Sequence, residues 1–367
     1  MSFYEVIEKY RDFDFDGYFE KVSDNDVLRS IEKDKLSHTD VLNLLSPKAR
    51  KHLEHMAQKA SKLALQYCGK TACLYTPIYI ANYCENHCVY CGYNCHSGIK
   101  RKKLSLAEVE KEGECVAEKG FKHIIVLTGE SEIKSSIEYI GDSVELLSKK
   151  FSSIGIEVYP MEVEGYKHLV SKGADSLTVY QETYNEEVYK KVHIKGPKAD
   201  YRFRLDAPER GAIAGMRSLS IGALLGLSDF RRDAFFSILH GEYLKTKYPH
   251  IELAYSAPRM RPFKGSFHDI VDVDDATEFQ ILTVMRLFDP HAALNVSSRE
   301  TLDMRKNLMP LGITKLSADV STDVGGHSQG ERDTAQFNTN EDNTIEEVAD
   351  MLKSVGYQHV FKDWERF

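Results

Sequence analysis

Short apolar runs alternate with amphipathic helical stretches from about residue 75 to residue 320. The eight runs are Pro77–Tyr83, His123–Leu127, Glu157–Met161, Ser176–Tyr180, Ser218–Ala223, Glu252–Ser256, Ala293–Ser297 and Lys315–Val320. The helical stretches between them include Leu106–Lys119, Ile137–Phe151, Glu186–Lys191, Asp229–Lys247, Ala276–Leu287 and Arg299–Leu308. Strands that alternate with helices predict a parallel sheet. Eight repeats predict an α/β fold, a (βα)8 TIM-type barrel, with a doubly wound open sheet as the alternative.

The segments on either side of this region predict two extensions of the barrel. Apolar groups recur at helical spacing in Phe3–Tyr10 and Ile31–Leu45, and Ser46–Pro47 is typical of the start of a further helix. Near the other end, Thr344–Val355 also has a helical pattern. We therefore expect a helical N-terminal extension over residues 1–72, the barrel over 73–330, and a C-terminal extension over 331–367 that packs on the barrel.

A dense group of cysteines follows the first predicted strand. Cys84, Cys88 and Cys91 lie within eight residues, and Cys95 comes soon after. Thiolates this close repel one another and are stabilised by a metal that binds them all. A structural zinc site usually takes paired ligands from two places, and no second C-x-x-C occurs in the chain. Three thiolates suit three corners of an iron–sulfur cube with one open iron, although a zinc loop or free thiols stay as alternatives.

Composition and charge exclude several classes of partner. The 367 residues include 48 basic and 56 acidic side chains, and no region is strongly basic, so we expect no nucleic acid to bind. No apolar run approaches the length that spans a membrane, so we expect no membrane contact. The N-terminus has no apolar signal core, and six of the seven cysteines lie in the stretch from Cys68 to Cys95. These features predict a reducing, cytoplasmic location.

Polar side chains follow nearly every predicted strand. In chain order they include Glu130, which follows Gly129, and Glu162, Gln181, Glu182, Arg259, Arg261 and Arg299. Barrel enzymes carry their chemistry just after the C-terminal ends of the strands. We therefore expect these side chains to surround a polar substrate on the same face as the cysteine loop.

The motifs resemble those of a known enzyme family. The spacing C-x3-C-x2-C, with Tyr90 before the third cysteine and Gly92 after it, resembles the radical S-adenosylmethionine (SAM) enzymes, and Thr128-Gly129-Glu130 looks like their SAM-amino motif. The segments V-Y-Q-E-T-Y, G-L-S-D, P-R-x-R-P, S-S-R-E-T and F-K-D-W resemble the radical SAM tyrosine lyases of thiazole (thiamine) biosynthesis, the 2-iminoacetate synthases. The resemblance covers nearly the whole chain, and the combination of motifs is highly specific.

The resemblance implies a role for each matching residue. Cys84, Cys88 and Cys91 would hold a 4Fe–4S cluster, whose open iron would bind the amino and carboxylate groups of SAM. Tyr90 would pack near the adenine of SAM. The residues implied at the rest of SAM are Gly129 and Glu130 beside the methionyl amine, and Glu162, Gln181, Glu182 and Arg204 at the ribose or methionyl part.

The resemblance also implies a substrate site and a reaction. Arg299 would pair with the carboxylate of L-tyrosine, with Ser317 nearby, because a guanidinium binds a carboxylate through two parallel bonds. Reduction of the cluster would cleave SAM to methionine and a 5′-deoxyadenosyl radical. The radical would take a hydrogen from tyrosine, whose Cα–Cβ bond would break to give 2-iminoacetate and p-cresol.

The implied partners are a reductant such as flavodoxin or ferredoxin, and thiazole synthase, which would receive the unstable imine. We expect Cys95 to be a nearby thiol and not a cluster ligand, since the family motif uses three cysteines.

Three other functions stay open at this point. A tyrosine lyase of iron–iron hydrogenase maturation resembles the chain through the barrel, but that enzyme binds a second cluster with C-terminal cysteines. No cysteine follows Cys115 here, and we take the chain to end at Phe367. A lyase acting on tryptophan is the second alternative. A binding protein with a structural metal and no catalysis is the third.

Overall fold

The computed structural model describes residues 2–261, 267, 269–330, 333–337, 343–362 and 364–365. Pro262 and Asp363, which belong to two of the quoted motifs, lie outside the described residues. No helix of the described part is long and apolar enough to cross a membrane.

Eight parallel strands close into a barrel. Numbered with all strands in chain order, they are β1 (Thr71–Ala81), β3 (His123–Thr128), β4 (Ser153–Glu157), β5 (Ser176–Glu182), β7 (Ser218–Ala223), β8 (Glu252–Ser256), β9 (Ala293–Val296) and β10 (Lys315–Ser317). The last strand pairs with the first, with Cys73 opposite Lys315 and Tyr75 opposite Ser317. This pairing confirms the barrel and excludes the open sheet.

Three further strands lie outside the barrel circuit. The short strands β2 (His87–Cys88) and β6 (His193–Lys195) form an antiparallel pair that the sequence analysis did not predict. The last strand, β11 (Gln358–Val360), pairs in parallel with the first residues of β1. The C-terminal tail therefore extends the barrel sheet.

Helices surround the barrel and cover its N-terminal side. They are α1 (Phe3–Glu8), α2 (Phe15–Lys21), α3 (Asp24–Glu32), α4 (His38–Leu45), α5 (Leu53–Tyr67), α6 (Leu106–Glu118), α7 (Ile137–Ser148), α8 (Val163–Lys172), α9 (Glu186–Val192), α10 (Tyr201–Leu205), α11 (Ala207–Ala214), α12 (Phe230–Lys247), α13 (Asp275–Phe288), α14 (Leu302–Leu308) and α15 (Ile345–Ser354). Short 3-10 helices cover Pro47–His52, Pro197–Ala199 and Met309–Leu311.

The N-terminal helices pack on the outside of the barrel through specific contacts. Phe3 stacks on the buried His240 of α12 with ring centroids 4.0 Å apart. The side-chain amide of Gln280 in α13 donates to the backbone oxygens of Leu44 at 2.7 Å and Ser46 at 3.0 Å. The first five helices therefore pack as a layer on α12 and α13. The boundaries predicted at residues 72 and 330 stay predictions.

One predicted strand is misplaced. The run Glu157–Met161 was predicted as the third strand, but the strand is Ser153–Glu157, and the two share only Glu157. Pro160 has no backbone N–H to donate to a ladder. Residues 158–161 are buried as a loop instead, where the Tyr159 hydroxyl donates to the backbone oxygen of Ser135 at 2.8 Å.

The predicted helix Arg299–Leu308 begins later than expected, because Thr301 is its N-cap and α14 starts at Leu302. Arg299 is thereby left in the loop after β9. Both corrections change which residues lie at the ends of the strands.

Candidate active site

One large cavity opens at the C-terminal ends of the barrel strands. Its volume is about 1110 Å³, counted with its open mouth. The residues that line it include Tyr75, Tyr79, Tyr90, Cys91, Glu157, Tyr180, Glu182, Lys198, Ser256, Asn295, Ser298, Arg299, Ser317, Gln336 and Phe337. The cavity therefore brings the cysteine loop, which follows β1, together with residues at or after the ends of β5, β9 and β10.

The cysteine loop is held in place by backbone pairing and close packing. Cys88 pairs with His193 in the antiparallel β2–β6 ladder. A side chain on Gly92 would clash, because its Cβ would lie 2.0 Å from the backbone oxygen of Gln336. The backbone N–H of Tyr93 lies 3.4 Å from the Cys91 sulfur, and the Gln336 amide lies 3.7 Å from it. Donors of this kind stabilise a thiolate that binds metal.

The three thiols fit an iron–sulfur cluster. Burial and, to a smaller extent, the neighbouring Cys91 raise the pKa of Cys84 to about 11. Burial also raises the pKa of Cys88, with smaller contributions from Cys91 and Cys84. The thiols are therefore electrostatic neighbours that need a cation to ionise together.

Tyr90 is fixed by a chain of hydrogen bonds. His193 donates from Nδ1 to the backbone oxygen of Tyr189 at 2.9 Å, so its Nε2 accepts from the Tyr90 hydroxyl at 2.8 Å. Burial, with help from the charge of Lys198, lowers the pKa of His193 to about 3 and keeps its ring neutral. The Tyr90 ring is thereby held beside the cysteine loop.

A compensated carboxylate lies in the same cavity. Glu182 ends β5 with φ at 70°, which is rare for a residue other than glycine and typical of a functional site. Its Oε1 lies 2.6 Å from Lys198 Nζ and 3.3 Å from the Arg204 guanidinium. Burial alone would raise the pKa of Glu182, but these two cations hold it at about 2. The carboxylate is therefore charged and paired.

Gly129 and Glu130 lie against the cysteine loop. A Cβ on Gly129 would lie 2.2 Å from the backbone oxygen of Tyr83, so only glycine allows this close approach. The Glu130 carboxylate accepts from the side-chain amide of Asn86, which also lies 3.7 Å from the Cys84 sulfur. Burial raises the pKa of Glu130, although Arg204 and Lys198 oppose the shift. Asn86 therefore connects Glu130 to the cysteine loop.

Arg299 and Ser317 line the same cavity, after β9 and at the end of β10. The Arg299 guanidinium stacks on the Phe337 ring at 3.7 Å and donates to the backbone oxygen of Arg259 at 3.4 Å. The Ser317 hydroxyl accepts from the backbone N–H of Ser298 at 2.8 Å. The Arg259 guanidinium in turn pairs with Glu300 and with other carboxylates near it. The backbone around Arg299 is therefore fixed by ion pairs outside the cavity.

Five of the predicted site residues line the cavity, namely Tyr90, Cys91, Glu182, Arg299 and Ser317. Glu162 and Gln181 do not, and they also lie apart from the contacts of the cysteine loop described above. Glu162 is exposed and is the N-cap residue of α8, because the third strand ends at Glu157 and not at Met161. Gln181 is buried between the barrel and the helices, where its amide donates to the backbone oxygen of Tyr201 at 3.4 Å. Neighbouring residues of a strand point to opposite faces, so Gln181 and Glu182 cannot both face inward.

The sequence analysis missed Glu157 and Lys198, which line the cavity, and Asn86, which contacts Glu130 beside it. Asn86 lies inside the cysteine motif, and the correct end of β4 would have indicated Glu157. Lys198 lies in the short 3-10 helix Pro197–Ala199, and no sequence signal marks it as a partner of Glu182.

Comparisons with known proteins agree with this geometry. The family model of the Radical SAM superfamily matches residues 78–236, and that of the Biotin and Thiamin Synthesis associated domain matches residues 256–358. The 2-iminoacetate synthase of Escherichia coli (strain K12) is 35% identical over 364 residues, which cover 98% of this chain and 97% of that protein.

Two solved structures share the fold. HydG, a maturase of the FeFe-hydrogenase, has a TM-score of 0.90 at 28% identity, covering 97% of this chain and 80% of that one. Methylornithine synthase (PylB) has a TM-score of 0.75 at 22% identity, covering 91% of this chain and 97% of that one.

The barrel, the cysteine loop and these matches define a radical SAM enzyme that uses a 4Fe–4S cluster and SAM. Within that superfamily the chain belongs to the 2-iminoacetate synthase family, whose members are carbon–carbon lyases. The predicted family, fold, enzyme class and cofactors are confirmed.

Proposed function

We propose that this protein cleaves the Cα–Cβ bond of L-tyrosine to 2-iminoacetate and p-cresol for thiazole synthesis. The observation that supports this most directly is that Cys91 and Arg299 line one cavity. A radical formed at the cysteine loop would therefore start beside a bound amino acid. When bound, the cluster and SAM supply a 5′-deoxyadenosyl radical that takes hydrogen from the substrate.

The cofactor side of the cavity is proposed to bind and orient SAM. Cys84, Cys88 and Cys91 hold the cluster. Glu130 accepts from the methionyl amine beside Gly129, whose missing side chain leaves room for it. The proposal for the ribose and methionyl groups includes Glu182 and Arg204, which are fixed to each other by an ion pair.

Glu162 and Gln181 have a weaker case as SAM contacts, because Glu162 is exposed and Gln181 faces the helices. Tyr90 is proposed to pack near the adenine, since its hydroxyl is already satisfied by His193 and its ring lines the cavity.

The part of the cavity with Arg299 and Ser317 is proposed to bind the amino acid. Arg299 binds the substrate carboxylate with its planar fork. Ser317, which already accepts from the Ser298 backbone, can donate its hydroxyl hydrogen to the same carboxylate. The walls of the cavity include Tyr79, Leu127 and Phe337, which keep bulk water from the reacting bond.

The proposed partners follow from the chemistry. The cluster must be reduced by a one-electron donor, and we propose a flavodoxin or a ferredoxin. The imine product is hydrolysed by water, so we propose direct transfer to thiazole synthase.

Anaerobic turnover by the reconstituted protein tests the proposed function. With dithionite, SAM and L-tyrosine, we expect 5′-deoxyadenosine, p-cresol, and glyoxylate from hydrolysis of the imine. With tryptophan in place of tyrosine we expect no carbon–carbon cleavage. SAM cleavage without p-cresol would contradict the tyrosine assignment, and carbon monoxide or cyanide among the products would favour the chemistry of hydrogenase maturation.

A further inference from the structure

Glu157 faces the inside of the barrel and has no assigned role. It is the last residue of β4, opposite Leu127 in the parallel ladder with β3. Ile154 and Ile156 alternate with it and are buried on the helix side, so the Glu157 side chain points into the cavity. A carboxylate in the inner wall of a barrel needs either a partner or a function.

The protein itself does not compensate this carboxylate. No side chain or backbone group of the described residues donates a hydrogen bond to Glu157 or forms an ion pair with it. Two nearby tyrosine hydroxyls donate elsewhere: Tyr75 to the Asn295 side chain at 2.9 Å and Tyr79 to the Gln336 side chain at 3.3 Å. The carboxylate is therefore open toward the cavity.

The surroundings of Glu157 favour a cationic ligand. Burial raises the pKa of Glu157 to about 7, and the negative charge of Glu182 adds to the shift. Arg299, Arg204 and Lys198 oppose it in decreasing order. Arg299 therefore interacts with Glu157 more strongly than the other two cations do, although it forms no ion pair with it. The two groups face one space without neutralising each other.

We propose that Glu157 binds the amino group of the substrate while Arg299 binds its carboxylate, an assignment that rests on the function proposed above. An amino acid carries both groups on one carbon, so a carboxylate bound at Arg299 places the amino group a short distance away. The cavity offers two described carboxylates, and Glu182 is occupied by Lys198 and Arg204. Glu157 is the one that is left for an ammonium group.

This arrangement restricts the orientation of the substrate. Arg299 and Glu157 together hold two substituents of Cα, so the Cα–Cβ bond can only turn about the line that joins the two anchors. A ligand that lacks the amino group would keep its carboxylate contact but lose this second anchor. Glu157 is thus a specificity-determining residue for an α-amino acid.

Binding of tyrosine analogues by the cluster-loaded protein with SAM tests the assignment. The probes are L-tyrosine, 3-(4-hydroxyphenyl)propionate, which lacks the amino group, and tyramine, which lacks the carboxylate. L-Phenylalanine reports on the phenol group. The variants are Glu157→Gln, which is isosteric and neutral, and Glu157→Asp, which keeps the charge on a shorter arm. Glu164→Gln is the control, because Glu164 is exposed and lies outside the cavity.

We expect the wild type to prefer tyrosine over 3-(4-hydroxyphenyl)propionate. In Glu157→Gln this preference should fall about tenfold or more, since a charge-assisted hydrogen bond is lost, which typically contributes about 1.5–3 kcal/mol. The preference over tyramine and over phenylalanine should stay, and Glu157→Asp should recover part of the loss. Iron content and SAM binding should be unchanged in all variants.

Two results would overturn the assignment alone. One is a Glu157→Gln enzyme that keeps its full preference for the amino group. The other is a selective loss of the preference over phenylalanine, which would place Glu157 at the phenol. A wild type that binds no tyrosine at all would overturn the proposed function and this assignment together.

Discussion

The cavity contains two carboxylates that the protein treats in opposite ways, although they end the neighbouring strands β4 and β5. Glu182, where we expect SAM, is paired with Lys198 and Arg204, which hold its pKa at about 2. Glu157, where we expect the amino group of tyrosine, has no such partner among the described residues, and desolvation raises its pKa to about 7. The protein neutralises the charge of Glu182 with its own cations and leaves that of Glu157 for the ligand to neutralise. The difference indicates which charges belong to the scaffold and which to recognition.

The largest expected effect separates a cluster ligand from a neighbouring thiol. Cys88→Ala should abolish cluster loading, because Cys88 is buried in the loop and is one of three ligands. Cys95→Ala should largely keep the cluster, since Cys95 is exposed and outside the motif. Iron and sulfide analysis with the visible absorbance of reconstituted protein gives the result. Equal loss of iron in both variants would contradict the three-cysteine assignment.

The next effect concerns Glu182, the carboxylate that is paired with Lys198 and Arg204. Glu182→Gln should destabilise the protein at pH 7.5 by about 3–5 kcal/mol, because Lys198 and Arg204 would keep buried charges without their partner. The folded-state pKa of Glu182 is depressed from 4.5 to about 2, so its contribution is present above pH 4.5 and lost as the pH falls toward 2. Thermal unfolding of the variant and the wild type measures the difference. An unchanged midpoint would mean that the ion pairs are not part of the scaffold.

Arg299→Ala should weaken the binding of tyrosine and leave the binding of SAM nearly unchanged. We expect tyrosine binding to weaken by about 2–5 kcal/mol, because a buried charge partner of the substrate carboxylate is removed. SAM binding should change little, and Arg299→Lys should recover only part of the tyrosine affinity because an ammonium lacks the planar fork. Titration of each ligand into the cluster-loaded protein separates the two effects. Equal losses for both ligands would show that Arg299 supports the whole cavity.

The same comparison shows what the sequence could predict. Eight apolar runs predicted the barrel, and the C-x3-C-x2-C spacing predicted the cluster, because both signals are local. The Glu182 pair was not predictable, since Lys198 reaches it from the separate 3-10 helix Pro197–Ala199 after β6. Glu157 was missed for a different reason. The buried loop Val158–Met161 is as apolar as a strand, so the strand was predicted to begin at Glu157, where it in fact ends, and Glu162 was taken as the residue after its end.

The smallest expected effect is that of Glu157→Gln on the stability of the protein without tyrosine. It is also the sharpest test of the comparison, because this substitution should stabilise the protein whereas Glu182→Gln should destabilise it. The folded-state pKa of Glu157 is raised from 4.5 to about 7, so its burial lowers the stability of the ligand-free protein as the pH rises through this range, and the full cost is reached above pH 7. Glu157→Gln should therefore raise the free energy of unfolding at pH 8 by about 1–3 kcal/mol, and the gain should shrink as the pH is lowered toward 5.

Bound tyrosine should offset the stability difference between Glu157→Gln and the wild type. The wild type has a carboxylate for the substrate amino group and the variant does not, so saturating tyrosine should raise the unfolding midpoint of the wild type more than that of Glu157→Gln. Thermal unfolding of cluster-loaded, SAM-bound protein at pH 8, with and without tyrosine, measures both steps. A destabilised Glu157→Gln protein without ligand would mean that Glu157 has a partner in the scaffold. Glu157 and Glu182 would then both be neutralised by the protein, and the charge of Glu157 would serve the fold and not recognition of the substrate.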